Sequence, residues 1–158
     1  MARTFKCTTA IAAPPEAVFA VLVDIDTWGQ WLPNLVRVER AGSGPLQQGE
    51  HFRETRKMFG SESTEAFEVV ELEAPRRLVL RVDGSKGTSG KGIFTFEHLV
   101  AAQGEGTLLT IRGSIDMPGF VAKLLGGLFM GMFKSAIAKD MEAMGRFAAT
   151  RASGSGAA

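Results

Sequence analysis

The segment from Phe52 to Met58 carries the charged residues best placed to act on a ligand. Successive side chains of a β-strand point to opposite faces, so this segment divides into two sets. One set, together with the residue just before the segment, is wholly polar and belongs in water: His51, Arg53, Thr55 and Lys57. The other set places Glu54 and Arg56 between two apolar residues. We expect that second set to face the interior of the protein.

An enclosed Glu54 and Arg56 would have to pair with each other, because burying an unpaired charge is costly. We predict that Arg56 then donates hydrogen bonds to a carbonyl, hydroxyl or carboxylate of a bound ligand. Two alternatives remain open. The pair is a structural ion pair at the rim of the sheet, or a β-bulge reverses the alternation and turns both side chains to solvent.

Of the two histidines, His98 is the one predicted to face the interior, because strand alternation puts it on the same face as Phe94 and Phe96. It could therefore act as an acid or base near neutral pH. Because the predicted strand ends at His98, an exposed or locally hydrogen-bonded histidine is the preferred interpretation. The histidines and the single Cys7 lie far apart without ligand spacing, so no metal site is predicted. The chain carries no phosphate loop or dinucleotide fingerprint, and we predict no cofactor.

A proline-free segment from about Gly119 to Ala149 has apolar residues at every third or fourth position, which predicts one long amphipathic helix. Its inward stripe is predicted to contain Phe129, Met132, Phe133, Ala136, Asp140 and Met144. Glycines at 126, 127 and 131 should weaken the start of this helix. These glycines favour a flexible entrance to a cavity. The Phe and Met residues of the segment either adapt to a ligand or simply fill the core of the protein.

The remaining elements are short strands separated by turns. The predicted strands are Thr4 to Ile11, Leu35 to Arg40, Phe52 to Met58, Ser63 to Leu72, Leu78 to Val82, Ile93 to His98 and Thr107 to Ile115. Two short helices should follow the first strand, and Trp31 is expected to be buried where the chain closes one end of the sheet. This order predicts an α+β fold, with a curved seven-stranded antiparallel sheet around the long C-terminal helix.

Composition restricts the class of protein. The chain has 158 residues, a net charge of +1 and 45% hydrophobic residues, which predicts one domain over residues 1–150 with an internal core. The small residues of 151–158 predict a disordered tail. The balanced charge predicts no nucleic-acid partner. We find no segment long enough to span a membrane and no signal peptide, and we expect a cytoplasmic protein.

Several motifs carry a family resemblance. They are Pro14-Pro15-Glu16-Ala17-Val18-Phe19, then Asp24, then Trp28-Gly29-Gln30-Trp31-Leu32-Pro33, later Val69, Glu71, Pro75 and Leu78, and finally Gly106-Thr107. In this order they cover about residues 3–149. The chain resembles the START-like (SRPBCC) superfamily, the polyketide cyclase/dehydrase and lipid transport proteins with a helix-grip fold. The resemblance implies a hydrophobic internal cavity but does not name the ligand.

The predicted function is the binding or transport of a small hydrophobic ligand, lipid-like or polycyclic, in that cavity. The predicted ligand-binding residues are Phe52, Glu54, Arg56, Phe94, Phe96, Phe129, Met132, Phe133, Ala136 and Met144. One alternative is a polyketide cyclase or dehydratase-type enzyme, in which Arg56 stabilises an enolate and Glu54 or His98 moves a proton. Another is an interaction protein that uses the same scaffold against an unidentified protein partner.

Overall fold

The computed structural model describes residues 2–58, 60–119 and 127–155. Its strands are β1 (Arg3–Ile11), β2 (Leu35–Arg40), β3 (His51–Met58), β4 (Ser61–Glu73), β5 (Arg77–Asp83), β6 (Ile93–Gln103) and β7 (Gly106–Asp116). They form one antiparallel sheet in the order β1-β7-β6-β5-β4-β3-β2. The helices are α1 (Pro15–Val23) and α2 (Gly127–Ser155), with 3₁₀-helices at Ile25–Gln30 and Gly84–Lys86. The predicted α+β fold class is confirmed.

β6 is longer than the sequence pattern predicts. It continues past His98 to Gln103, and its pairing with β7 is unbroken from Ile93 opposite Asp116 to Gln103 opposite Gly106. The alternation of large apolar residues ends at Val100, after which two alanines and a glutamine follow. The backbone pairing of β6 with β7 continues along the chain after the apolar pattern ends. His98 therefore lies within the strand and not at its end.

The helical turns after β1 form one end of the core. Proline suits the first turn of a helix because its φ is already close to the helical value, and α1 begins at Pro15. Trp28, and not Trp31, is the buried tryptophan, since its Nε1 donates a hydrogen bond to the Leu22 carbonyl at 3.3 Å. Trp31 is half-buried and meets the Trp28 ring edge-on, with the ring centroids 6.1 Å apart. Trp31 packs against the core with its Nε1 buried, so the expectation of burial holds in part, while Trp28 is the more deeply buried tryptophan.

α2 extends beyond the predicted domain boundary at residue 150. Residues 151–155 are helical, which corrects the predicted disordered tail over that range. Ala148 is fully buried and Ala152 packs against the core, so the inward stripe of α2 continues into its last turns. The small residues that predicted a tail therefore belong to a helix that packs closely. The remainder of the tail, 156–158, and the predicted start of the helix at 120–126 lie outside the described residues.

The core lies between the sheet, α1 and the C-terminal half of α2. Met141 and Met144 are buried there. At Gly145 a Cβ atom would lie 3.1 Å from Cγ1 of Ile11 on β1, so the absence of a side chain lets the helix approach the strand closely. Among the described residues, no helix has both the length and the apolar character needed to cross a membrane.

Candidate functional site

β3 directs Glu54 and Arg56 to the inner side of the sheet, towards α2, as its alternation predicts. Thr55 of the other set is an exception to the prediction, because it is fully buried, with its hydroxyl 2.7 Å from that of Thr64. The side chains of Glu54 and Arg56 are 12% and 21% exposed, and Arg56 reaches Asp140 on α2. The pairing of β3 with β4 has no register shift from His51 to Met58, so the bulge alternative is wrong. The two elements that meet here lie far apart in sequence, and only the folded sheet brings them together.

Arg56 pairs with Asp140 and not chiefly with Glu54. Its Nη1 donates to Asp140 Oδ2 at 2.8 Å, and its Nη2 donates to Asp140 Oδ1 and to the Pro33 carbonyl, each at 2.8 Å. Such a two-pronged arginine–carboxylate pair is among the stronger polar contacts in proteins. Arg56 Nε lies 4.0 Å from Glu54 Oε1, beyond hydrogen-bond distance, and is buried without a hydrogen-bond partner. The terminal nitrogens that the sequence assigned to a ligand are thus already used by the protein.

Glu54 is a buried acid with an unusual pKa. Burial raises the pKa of its carboxyl to about 7, because the positive charge of Arg56 lowers it by less and the carboxylate of Asp140 raises it further. No hydrogen bond reaches this carboxyl from the described residues. A carboxyl with a pKa near 7 gains or loses a proton under neutral conditions, which makes Glu54 the most chemically versatile group on the inner face.

Three phenylalanine rings form a row on the same side of the sheet as the polar cluster around Glu54 and Arg56. We call it the aromatic row, and it consists of Phe96 on β6 with Phe133 and Phe129 on α2. The centroid of the Phe133 ring lies 6.1 Å from that of Phe96 and 6.0 Å from that of Phe129, with the rings nearly parallel. All three are only half-buried, although they lie between helix and sheet. Phe5 packs edge-on against Phe133, with 5.4 Å between centroids.

A glycine makes room for this arrangement. A Cβ atom at Gly113 on β7 would lie 2.0 Å from the Phe5 ring, so a larger residue there would displace Phe5. Phe5 also meets Phe96 edge-on, with centroids 6.3 Å apart. Gly113 therefore keeps Phe5 flat against the sheet, where its ring supports the aromatic row.

The other predicted site residues fall into three groups. Phe52, Phe94 and Met144 are buried in the core, and Phe52 stacks on Phe67 with centroids 4.9 Å apart. Ala136 is half-buried, as expected for the inward stripe. Met132 is 46% exposed, so its predicted place on that stripe is wrong. The helix turns about 100° per residue, and the stripe passes through Phe129, Phe133 and Ala136 without including residue 132.

His98 is buried, so the exposed alternative is wrong, while its hydrogen bonds with the backbone of Leu78 and Phe96 support the locally hydrogen-bonded one. Burial lowers the pKa of its imidazole to about 4, and its Nδ1 has no hydrogen-bond partner. It is therefore neutral near pH 7. The part of the chain that the structure describes contains no group of three or more His, Cys, Asp or Glu side chains that could hold a metal ion.

Two acids complete the polar cluster, and the sequence did not assign a role to either. Asp140 was placed on the inward stripe of α2, where it is a lone charge among apolar residues, and that isolation was the available signal. Glu65 is directly opposite Glu54 across the β3–β4 pair. Its Oε1 accepts hydrogen bonds from the Ser89 amide at 2.8 Å and the Ser89 hydroxyl at 2.7 Å, while Oε2 is buried without a partner. Glu65 is two residues from the apolar Phe67 on β4, and this alternation could have indicated that Glu65 faces the same side of the sheet.

Comparisons with known proteins agree with this fold. Among solved structures, the chain is similar to an aromatase/cyclase, Zhui, from Streptomyces sp. R1128, at 18% identity and a TM-score of 0.76 over 96% of each chain. It is similar to the ginseng major latex-like protein 151 from Panax ginseng at 17% identity and a TM-score of 0.70, covering 91% of this chain and 97% of that one. TTHA0849 from Thermus thermophilus matches at 14% identity and a TM-score of 0.77, over 94% of this chain and 99% of that one.

Sequence comparison supplies the family. Among curated proteins, none matches the chain. The family model described as polyketide cyclase / dehydrase and lipid transport matches residues 2–150, which is nearly the whole chain. With its helix-grip fold, the chain therefore belongs to the polyketide cyclase/dehydrase and lipid transport family.

Proposed function

We propose that this protein binds a small hydrophobic ligand, polycyclic or lipid-like, between the sheet and the N-terminal half of α2. The observation that carries the proposal is the aromatic row, because its three rings lie between helix and sheet and yet remain only half-buried. Aromatic side chains on an inner face are normally covered when the protein fills its own core. A flat apolar ligand would cover these rings and gain the free energy of burying them.

The polar cluster supports the same proposal. Pockets for small molecules are mostly apolar with a few positioned polar groups. Asp140 lies two turns after Phe133 on α2, which is about 10 Å along a helix, and it holds Arg56 next to Glu54. An apolar body against the aromatic row and a polar group near Glu54 would therefore fit one ligand of moderate length. The cytoplasmic location stays a prediction.

Filling the space beside the aromatic row tests the proposal. Ala136→Trp should abolish binding of N-phenyl-1-naphthylamine, a neutral polycyclic fluorophore, because the indole would occupy the volume that the probe needs. The far-ultraviolet circular dichroism should remain that of the wild type. Binding is measured by the increase in probe fluorescence on titration.

The matched control is Ser135→Trp, which adds the same side chain at an exposed neighbouring position of α2 and should leave binding unchanged. If the tryptophan variant at residue 136 does not fold, Ala136→Leu is the smaller change in the same direction. Undiminished binding by a folded residue-136 variant, or no binding by the wild type, would contradict the proposal.

A second candidate function is proton-transfer catalysis on the same ligand, in the manner of a cyclase or dehydratase. The pKa of Glu54 near 7 favours it, because efficient general acids and bases have a pKa close to the working pH. Arg56 could stabilise an enolate only through its Nε or after leaving Asp140. Exchange of the α-protons of 2-tetralone with solvent, followed by nuclear magnetic resonance, would support catalysis if Glu54→Gln slowed it and would exclude this role if it did not.

A further inference from the structure

Both terminal nitrogens of Arg56 already donate to the protein, through three of the five N–H groups of the guanidinium. Asp140 accepts from both, and the Pro33 carbonyl accepts a further hydrogen bond from one of them. A ligand carboxylate that used these donors would have to displace Asp140 and leave that carboxylate buried without its partner. Such displacement is unfavourable because a buried charge that loses its counter-ion keeps its full desolvation penalty. The remaining Nε–H is buried without a hydrogen-bond partner and lies 4.0 Å from Glu54 Oε1, so a ligand acid that used it would bring a second carboxylate close to Glu54.

Glu54 is in the opposite situation. Its side chain is 12% exposed, its nearest cationic atom is Arg56 Nε at 4.0 Å, and no hydrogen-bond donor among the described residues reaches it. Glu65, which lies across from it on β4, is an acceptor whose Oε1 already bonds to Ser89. Buried carboxyls in folded proteins are normally hydrogen-bonded, and the described residues leave the acceptor capacity of Glu54 unfilled, so a donor on a ligand could fill it.

The charge balance among Glu54, Arg56 and Asp140 also favours a neutral hydrogen-bond donor over a carboxylate. When Glu54 is ionised, it and Asp140 together outnumber the one cation, Arg56, that contacts them. A further carboxylate would add a second surplus negative charge in a poorly solvated site. A neutral group with a hydrogen-bond donor would instead satisfy Glu54 without adding charge.

We propose that Glu54 makes the site selective for ligands whose polar end carries a hydroxyl donor, and that it discriminates against carboxylates such as fatty acids. The inference rests on the proposed function, because it concerns the polar end of the same ligand. Glu54 accepts the hydroxyl hydrogen bond while the apolar body of the ligand lies against the aromatic row. Asp140 has a positioning role, since it accepts hydrogen bonds from both terminal nitrogens of Arg56 and so keeps those donors from the ligand's polar end.

Three naphthalenes that differ only at one substituent test the inference: 2-naphthol, 2-methoxynaphthalene and 2-naphthoate. Each is titrated directly at pH 8, above the pKa of Glu54, where the carboxylate accepts hydrogen bonds and does not donate them. The wild type should bind 2-naphthol about tenfold to a hundredfold more tightly than the methyl ether, the range for a hydrogen bond to a charged group. It should bind 2-naphthoate the most weakly of the three.

Glu54→Leu should remove the preference for 2-naphthol over its methyl ether and raise the affinity for 2-naphthoate relative to the wild type. Glu54→Met is the substitute if the leucine variant does not fold. The matched control is Glu62→Leu, the same change at an exposed residue of β4, which should keep the wild-type order of affinities.

The two proposals fail in different ways. If the naphthalenes bind the wild type but the order of affinities is the same in Glu54→Leu, the selectivity inference is wrong and the proposed binding function stands. If 2-naphthoate binds the wild type best, the inference is likewise wrong. If none of the three binds the wild type, both proposals fail together.

Discussion

The two halves of α2 have similar residues but different surroundings. In the C-terminal half, Met141 and Met144 are each 2% exposed, and Gly145 lies against Ile11 of β1. In the N-terminal half, Leu128 is 83% exposed and Met132 46% exposed, although both halves carry Met and Phe at helical spacing. The difference lies in what each half faces. Near its end the helix packs closely on Ile11 of β1, whereas its start carries two rings of the aromatic row, which remain half-buried although Phe5 and Phe96 contact Phe133.

This contrast shows that an apolar stripe does not by itself distinguish a filled core from a ligand site. Both kinds of surface exclude water, and both select the same residue types. What separates them here is whether a second element covers the stripe. The difference between the two halves can be measured with point variants, of which the one with the largest expected effect comes first.

The same truncation in each half should give the largest difference. Met144→Ala should lower the free energy of unfolding by about 2 to 5 kcal/mol, because it empties a fully packed position. Met132→Ala should change it by less than about 0.5 kcal/mol, because that side chain is largely in water already. Urea unfolding of both variants measures the difference. Equal losses would show that the start of α2 is as well packed as its end.

Asp140 lies at the boundary between the halves, and its removal should have an intermediate effect. Asp140→Asn should cost about 2 to 3 kcal/mol, since it leaves the partly buried Arg56 without its counter-charge. The double variant Asp140→Leu/Arg56→Met removes both charges and should recover most of that loss. Urea unfolding of the wild type, Asp140→Leu, Arg56→Met and the double variant closes a thermodynamic cycle that measures the coupling. Additive losses would mean that the ion pair does not hold the helix to β3.

Glycine replacements should give the smallest effects, with opposite signs in the two halves. Gly131→Ala should stabilise the protein by about 0.5 to 1 kcal/mol, because alanine favours the helix and, beyond the adjoining helix backbone, no atom of the described residues lies within 4 Å of the new Cβ. Gly145→Ala should gain less or destabilise, since its Cβ would lie 3.1 Å from Ile11. Thermal unfolding of the two variants resolves the sign. Stabilisation of equal size at both positions would contradict the close packing of the C-terminal half.

The fold was predictable from sequence because its signals are local. Period-two alternation and turn residues indicated each strand, and the long three-to-four spacing indicated α2. The ends of two elements were less well predicted. The backbone pairing of β6 continues after the apolar pattern ends at Val100. Small residues continue α2, as at Ala152.

The candidate site was only partly predictable, since its contacts join distant segments. Alternation placed Glu54 and Arg56 inward, but nothing near them in sequence indicates that Arg56 pairs with Asp140 and the Pro33 carbonyl. The burial of His98 depended on how far its strand continues. Likewise, helical spacing does not show whether a second element covers Phe133 as it covers Met144.

The position of β1 has a consequence for how the chain reaches this structure. β1 precedes the other strands along the chain, yet among the described residues it pairs only with β7, with Arg3 opposite Ile115 and Ile11 opposite Thr107. The strands from β2 to β7 are neighbours in sequence order and can pair as they emerge from the ribosome, while one edge of β7 stays unpaired until β1 joins it. Such non-local pairing slows folding, and an unpaired edge strand is a template for aggregation. Deleting the residues before Ala12 would therefore expose the β7 edge as well as shorten the chain, and nascent chains without β1 should aggregate.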